Sequence, residues 1–215
     1  MPGGCEALVH WRALMEEQAM SGRMPPVIAF DLDLANMFGT VERDRIREAL
    51  RQHFPEALPW TQWVHSDTEV LDLPQGGEAC TDRGSGQGDV FAPAASALAL
   101  GDSVCAARAD LRSGQQRDRI GAVDEWFIDD GQALVLVEAA ERWLRRIDQA
   151  IDGIGCSRDH GPNCKSVARL LCHPDRRAEF HGWETGLHLS DMQGVGRKRW
   201  RQGLWGHGWM LRRGQ

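Results

Sequence analysis

Eight residues, VIAFDLDL at positions 27–34, constrain the fold more than any other stretch of the chain. An apolar run of strand length that turns acidic at Asp31 and Asp33 predicts a buried strand whose far end reaches solvent, because an unpaired carboxylate is costly to bury. The rest of the chain arranges around it. Residues 5–20 place Leu8, Trp11, Leu14, Met15 and Met20 at helical spacing, and MSGRMPP then breaks the helix. Thr40 is the expected N-cap of a helix over 41–54, with Val41, Ile46, Leu50 and Phe54 as its apolar stripe. EALPWTQWVHS reads as a short helix or turn, and TEVLDLPQGG with EACTDRG as a hairpin. RGSGQGD is a glycine-rich loop that opens an alanine-rich helix over 91–111. RIGAVDEWFIDDGQALVLVE alternates around a central Asp-Asp-Gly, a hairpin with acids at its turn. AAERWLRRIDQAIDGIG is an amphipathic helix closed by glycine, and KSVARLL reads as a strand. Beyond about residue 174 the pattern fades. No repeat or linker divides the chain, so a single domain mixing helices and strands is expected.

Composition removes several classes. With 215 residues the chain is long enough to bury a real core. No window of eighteen apolar residues exists, and the N-terminus lacks a basic segment followed by an apolar one, so an intracellular protein, nuclear or cytoplasmic, is expected. The six cysteines are irregularly spaced, which suits a reducing compartment. The net charge of −6 argues against a uniformly nucleic-acid-binding surface. Its distribution is uneven, however: the last twenty residues, GRKRWRQGLWGHGWMLRRGQ, hold six basic residues and no acid.

The chemistry is carried by acids at strand ends, Asp33 after one strand and Asp129 with Asp130 at the hairpin. Carboxylates gathered in this way repel unless a divalent cation neutralises them, and hard oxygen ligands favour Mg²⁺ or Mn²⁺. A pair of such ions is a standard device for in-line phosphoryl transfer. Taken singly, Asp-Asp-Gly is also an ordinary turn and Gln-Gly-Asp an ordinary loop.

Order and spacing add to this. Asp33-Leu-Ala-Asn36-Met-Phe38, followed by Arg43, resembles motif A of reverse transcriptases of the non-LTR retrotransposon and group II intron type. Gly84-Ser-Gly-Gln87-Gly88-Asp89-Val-Phe-Ala-Pro93 resembles their motif B, and Phe127-Ile128-Asp129-Asp130 their motif C. The segment from Gly155 through Asn163-Cys-Lys165-Ser166 is similar to motif D with its lysine. The resemblance covers about residues 27–171 and implies an α+β polymerase palm, a small antiparallel sheet backed by helices, with incomplete fingers and thumb. It implies three segments: 1–26 as the end of the fingers, 27–173 as the palm, and 174–215 as a diverged or disordered basic tail rich in Trp and Arg.

The activity implied is RNA-directed DNA polymerisation with two Mg²⁺ or Mn²⁺ ions on Asp33, Asp129 and Asp130. Template RNA or DNA, a DNA primer and deoxynucleoside triphosphates would be the partners. Phe38 would lie under the sugar and reject a 2′-hydroxyl. The Leu34 carbonyl, Gln87, Gly88 and Phe127 would meet nucleotide or template, and Lys165 would contact the phosphates or protonate pyrophosphate. Departures from the pattern are Met37 for a small alanine, Gly39 for Asn or Asp, and Val90 for proline.

Three other readings stand beside this one. The strand ending in Asp-x-Asp also resembles motif I of haloacid dehalogenase-type phosphatases, with Asp31 as nucleophile, although Ala35 stands where threonine is expected. A non-catalytic retroelement remnant is the second. Cys156, His160, Cys164, Cys172 and His173 as a zinc cluster are the third, at spacings that match no paired Cys-x-x-Cys pattern.

Overall fold

The computed structural model describes residues 4–65, 69–72, 74–86, 89–113, 122–159 and 164–180. Its organising element is β1 (Val27–Asp33), in which alternation sends Ile28, Phe30 and Leu32 into the main core and Val27 and Ala29 to the opposite face. The helix α1 (Gly4–Met20) precedes it, then come α2 (Met37–Thr40), α3 (Arg43–His53), a 3₁₀ turn at Pro55–Ala57 and α4 (Leu58–Val64). A two-stranded hairpin pairs β2 (Glu69–Asp72) with β3 (Glu78–Thr81). The long helix α5 (Ala92–Ser113) leads to the hairpin of β4 (Ala122–Phe127) and β5 (Asp130–Leu136). The helix α6 (Ala140–Asp152), the strand β6 (Val167–Leu171) and a 3₁₀ turn at Pro174–Phe180 complete it.

Four strands form one sheet in the order β4-β5-β1-β6, antiparallel throughout. The fold is therefore α+β, a small antiparallel sheet backed by helices. Helices α3, α5 and α6 cover one face, which a central strand with apolar residues on both sides requires. Trp143 of α6 is only 1 % exposed and stacks on Phe30 of β1, ring centroids 5.2 Å apart. On the other face a smaller cluster joins Trp11 and Met15 of α1 to Val27, Ala29, Leu134 and Leu171.

Several expectations need correction. Thr40 does not cap α3: it closes α2, where its hydroxyl donates to the Asn36 carbonyl, and Glu42 occupies the N-cap without a side-chain bond. Val41, Ile46 and Leu50 are buried as expected, but Phe54 is exposed because the helix has ended before it. Leu14 and Met20 are exposed too, since α1 touches the sheet along only part of its stripe. The tail from residue 181 lies outside the described residues, and no helix among those described is long and apolar enough to cross a membrane.

Candidate active site

The acids meet at one end of the sheet because of strand register. Asp33, the last residue of β1, is the cross-strand partner of Asp130, the first of β5, so both project from the same face. Asp129 sits beside them in the two-residue loop Ile128-Asp129. The loop thus falls one residue earlier than the Asp-Asp-Gly reading expects, with Gly131 already paired to Trp126. A Cβ on Gly131 would lie 2.7 Å from the Trp126 ring, so glycine there lets the indole cross the strand. Ile128 has φ 59°, and Asp129 is not left-handed. A positive φ at the first loop residue alone is the pattern of a type II′ turn, where glycine is usual. A β-branched residue in that conformation stores backbone strain at the acidic turn.

Burial and then the crowding of like charge show in Asp130. Burial, then Asp129, then Asp33 push its pKa above the ordinary aspartate value, with Lys165 pulling the other way. Lys165 Nζ lies 3.4 Å from Asp33 Oδ1 while remaining largely exposed. Its backbone is set by a clip on the end of β1. The Asp159 N–H donates to the Asp33 carbonyl at 2.8 Å, and the Asp159 carboxylate accepts from the Lys165 N–H at 2.9 Å. The Asp33 N–H in turn donates to Ser166 Oγ at 3.1 Å. Leu34 is buried and forms a single-residue bridge to Arg158, whose guanidinium pairs with Asp148 at 3.0 and 3.1 Å.

Asp31, two residues back on the same face, has a structural assignment. Arg12 of α1 grips both of its oxygens, and Arg169 of β6 reaches it at 3.3 Å while also touching Glu16. Burial opposes the Arg12 charge, but hydrogen bonds and charge from Asp31 and then Glu16 outweigh it and raise its pKa. A carboxylate held by two guanidiniums is a weak nucleophile, which argues against the nucleophilic role of Asp31 in the phosphatase reading.

The glycine-rich loop docks on α2. Ser85 N–H donates to the Phe38 carbonyl at 2.7 Å, Gly84 N–H to Val41 at 2.8 Å, and buried Arg43 donates through Nε to the Gly84 carbonyl at 3.0 Å. Gly84 has φ +72°, and a Cβ there would lie 2.4 Å from the Phe38 carbonyl oxygen. Phe38 itself is half-buried, and Phe127 is 54 % exposed beside the acids. Gln87 and Gly88 lie outside the described residues. After them, Asp89 Oδ1 accepts from the Phe91 N–H at the start of α5, and its other oxygen lies 3.5 Å from buried His65.

Among the described residues, no three His, Cys, Asp or Glu side chains are drawn together closely enough to hold a metal ion. The donors at the sheet end are nonetheless all carboxylate, the chemistry of hard cations, and Lys165 supplies the counter-charge they need. Cys156 and Cys164 engage neighbouring polar groups, with Cys156 accepting from Thr40 and Cys164 donating to the Ser166 carbonyl; His160 is outside the described residues. Sequence reasoning passed over Arg12, Arg108, Asp124 and Arg169, which are joined across elements as Arg12–Asp31, Arg108–Asp124 and Arg169–Asp31, and composition rich in arginine gave the three arginines no local signal.

No protein-family model matches the chain, and no curated protein does. Among solved structures it is similar to a telomerase from Candida tropicalis in complex with the TWJ fragment of telomeric RNA. The TM-score is 0.51 at 10 % identity, covering 76 % of this chain and 29 % of that one. An apo telomerase from Candida tropicalis, truncated from its C-terminal domain, gives 0.49 at 10 % identity over 76 % of this chain and 35 % of that one. The chain thus spans about a third or less of the length of these structures. At this identity the likeness to the first of these shows a shared fold alone.

Proposed function

We propose that the chain performs template-directed nucleotidyl transfer, as the palm of an RNA-directed DNA polymerase. The observation that carries this reading is the register that sets Asp33 opposite Asp130, with Asp129 adjacent and Lys165 on Asp33. The shared fold with part of telomerase, a reverse-transcriptase-related enzyme, supports it. Asp33, Asp129 and Asp130 are the residues that would hold Mg²⁺ or Mn²⁺. Two such ions would supply neutralising charge for the attacking and departing oxygens of an in-line displacement at the α-phosphate. Lys165, exposed and with its backbone tethered by the Asp159 clip, would contact the phosphates or protonate departing pyrophosphate. Phe38, fixed by the Ser85 bond to its carbonyl, would select deoxynucleotides by crowding a 2′-hydroxyl. Phe127, Gln87, Gly88 and the Leu34 carbonyl would face nucleotide or template.

The test is extension of a DNA primer on an RNA template with Mg²⁺ or Mn²⁺. Extension that is lost in Asp129→Ala/Asp130→Ala supports the reading, and extension that survives the double substitution defeats it. A second reading, a non-catalytic retroelement remnant, draws on there being no group of three potential ligands close enough to hold a metal ion among the described residues, and on Lys165 pairing with Asp33. It predicts no extension and no cation binding, by this chain or by a longer one carrying additional upstream sequence.

A further inference from the structure

The acidic turn is strained at Ile128, and a cavity lies behind it. A cavity of about 220 Å³ lies between α5 and the hairpin, lined by Leu100, Val104, Arg108, Trp126 and Ile128 among others. Trp126 packs against the main core, and a polar network borders the cavity on the side of the turn. Arg108 of α5 donates through Nε to both oxygens of Asp124, at 3.0 and 2.9 Å, and through its terminal nitrogen to the Asp124 carbonyl at 2.6 Å. Asp124 is only 8 % exposed. Its carboxylate also accepts from Trp126 Nε1 at 3.1 Å, and the Trp126 ring lies across Gly131, the residue after Asp130.

We propose that Arg108, Asp124 and Trp126 are positioning residues that transmit the location of α5 to Asp129 and Asp130. None of the three touches the acids. A charge-assisted, bidentate bond fixes the carboxylate, the carboxylate fixes the indole, and the indole fixes the start of β5 at Gly131. The proposal rests on the polymerase reading only for its functional consequence, because the mechanical part is measurable without catalysis.

Two conservative variants test it. Trp126→Phe keeps a ring over Gly131 and removes the N–H; Arg108→Lys keeps the charge and removes the fork. Hydrogen exchange of the amides over 126–132, read by mass spectrometry, is expected to accelerate about tenfold in each, with α6 amides unchanged. Primer extension is expected to lose about tenfold in kcat with little change in KM for the nucleotide, the mark of misplaced reacting groups. Hairpin exchange that stays at the level of the unsubstituted chain in both variants overturns the proposal. Accelerated exchange in a chain that never extends a primer sustains the relay and points instead to failure of the polymerase reading. Should Arg108→Lys unfold the protein globally, with α6 exchange rising as well, Trp126→Phe alone decides.

Discussion

At the residue scale, ionised Asp130 works against the fold it sits on. Asp130 has a raised pKa, so its neutral form is favoured by the folded state. That contribution is complete below the unfolded value, near 3.8, and is lost as pH rises through the higher folded value. The cation-free protein is therefore expected to lose melting temperature as pH increases across that interval, and Asp130→Asn should flatten this slope and raise the melting temperature at neutral pH. Thermal melts followed by circular dichroism between pH 3 and 8 check the sign. The same substitution is expected to abolish extension, a trade between stability and activity usual at strained, charged sites. Removing the Asp31 charge should have the opposite effect on stability, because Arg12 and Arg169 hold it. Asp31→Asn breaks the Arg12 and Arg169 contacts and is expected to cost about 1–2 kcal/mol in urea unfolding, while extension falls only a few-fold.

At the scale of elements, two joints decide how the site is assembled. The first is the seat of the glycine-rich loop on α2. Gly84→Ala places a methyl 2.4 Å from the Phe38 carbonyl at a left-handed φ, and is expected to cost about 1–3 kcal/mol and to unseat the loop. Urea unfolding and the KM for deoxynucleotide measure the two effects. The second joint is α6 on β1. Trp143→Ala removes a fully buried ring stacked on Phe30 and should cost about 3–5 kcal/mol. Trp143→Phe should be far milder than a usual indole deletion, because its Nε1 makes no hydrogen bond among the described residues. Element boundaries expose the limit of local reading. The strand 27–33, the helices near 5–20 and 140–152 and the 122–136 hairpin follow from periodicity, because their apolar faces repeat at the spacing that burial demands. The cap at Thr40 and the position of the acidic loop do not, since each is decided by a partner brought from elsewhere: Asn36 in one case, and Trp126 over Gly131 in the other.

For the molecule as a whole, a net charge of −6 and an acidic sheet end make cation binding the natural probe of the native state. Millimolar Mg²⁺ or Mn²⁺ is expected to raise the melting temperature, and EDTA to reverse it, because a ligand bound only by the folded chain stabilises it by mass action. The effect should vanish in Asp129→Ala/Asp130→Ala. What the sequence determined by itself was the element types and the identity of the acids, both written in local order: an apolar run that turns acidic, and an alternating pair of strands around Asp-Asp. Only the tertiary structure decided that Asp33 faces Asp130 and not Asp31, that Lys165 reaches Asp33, and that Arg12 and Arg169 claim Asp31. The physical reason is register. Strand pairing joins residues about a hundred positions apart, and one residue of slip would send every one of these carboxylates to the opposite face of the sheet.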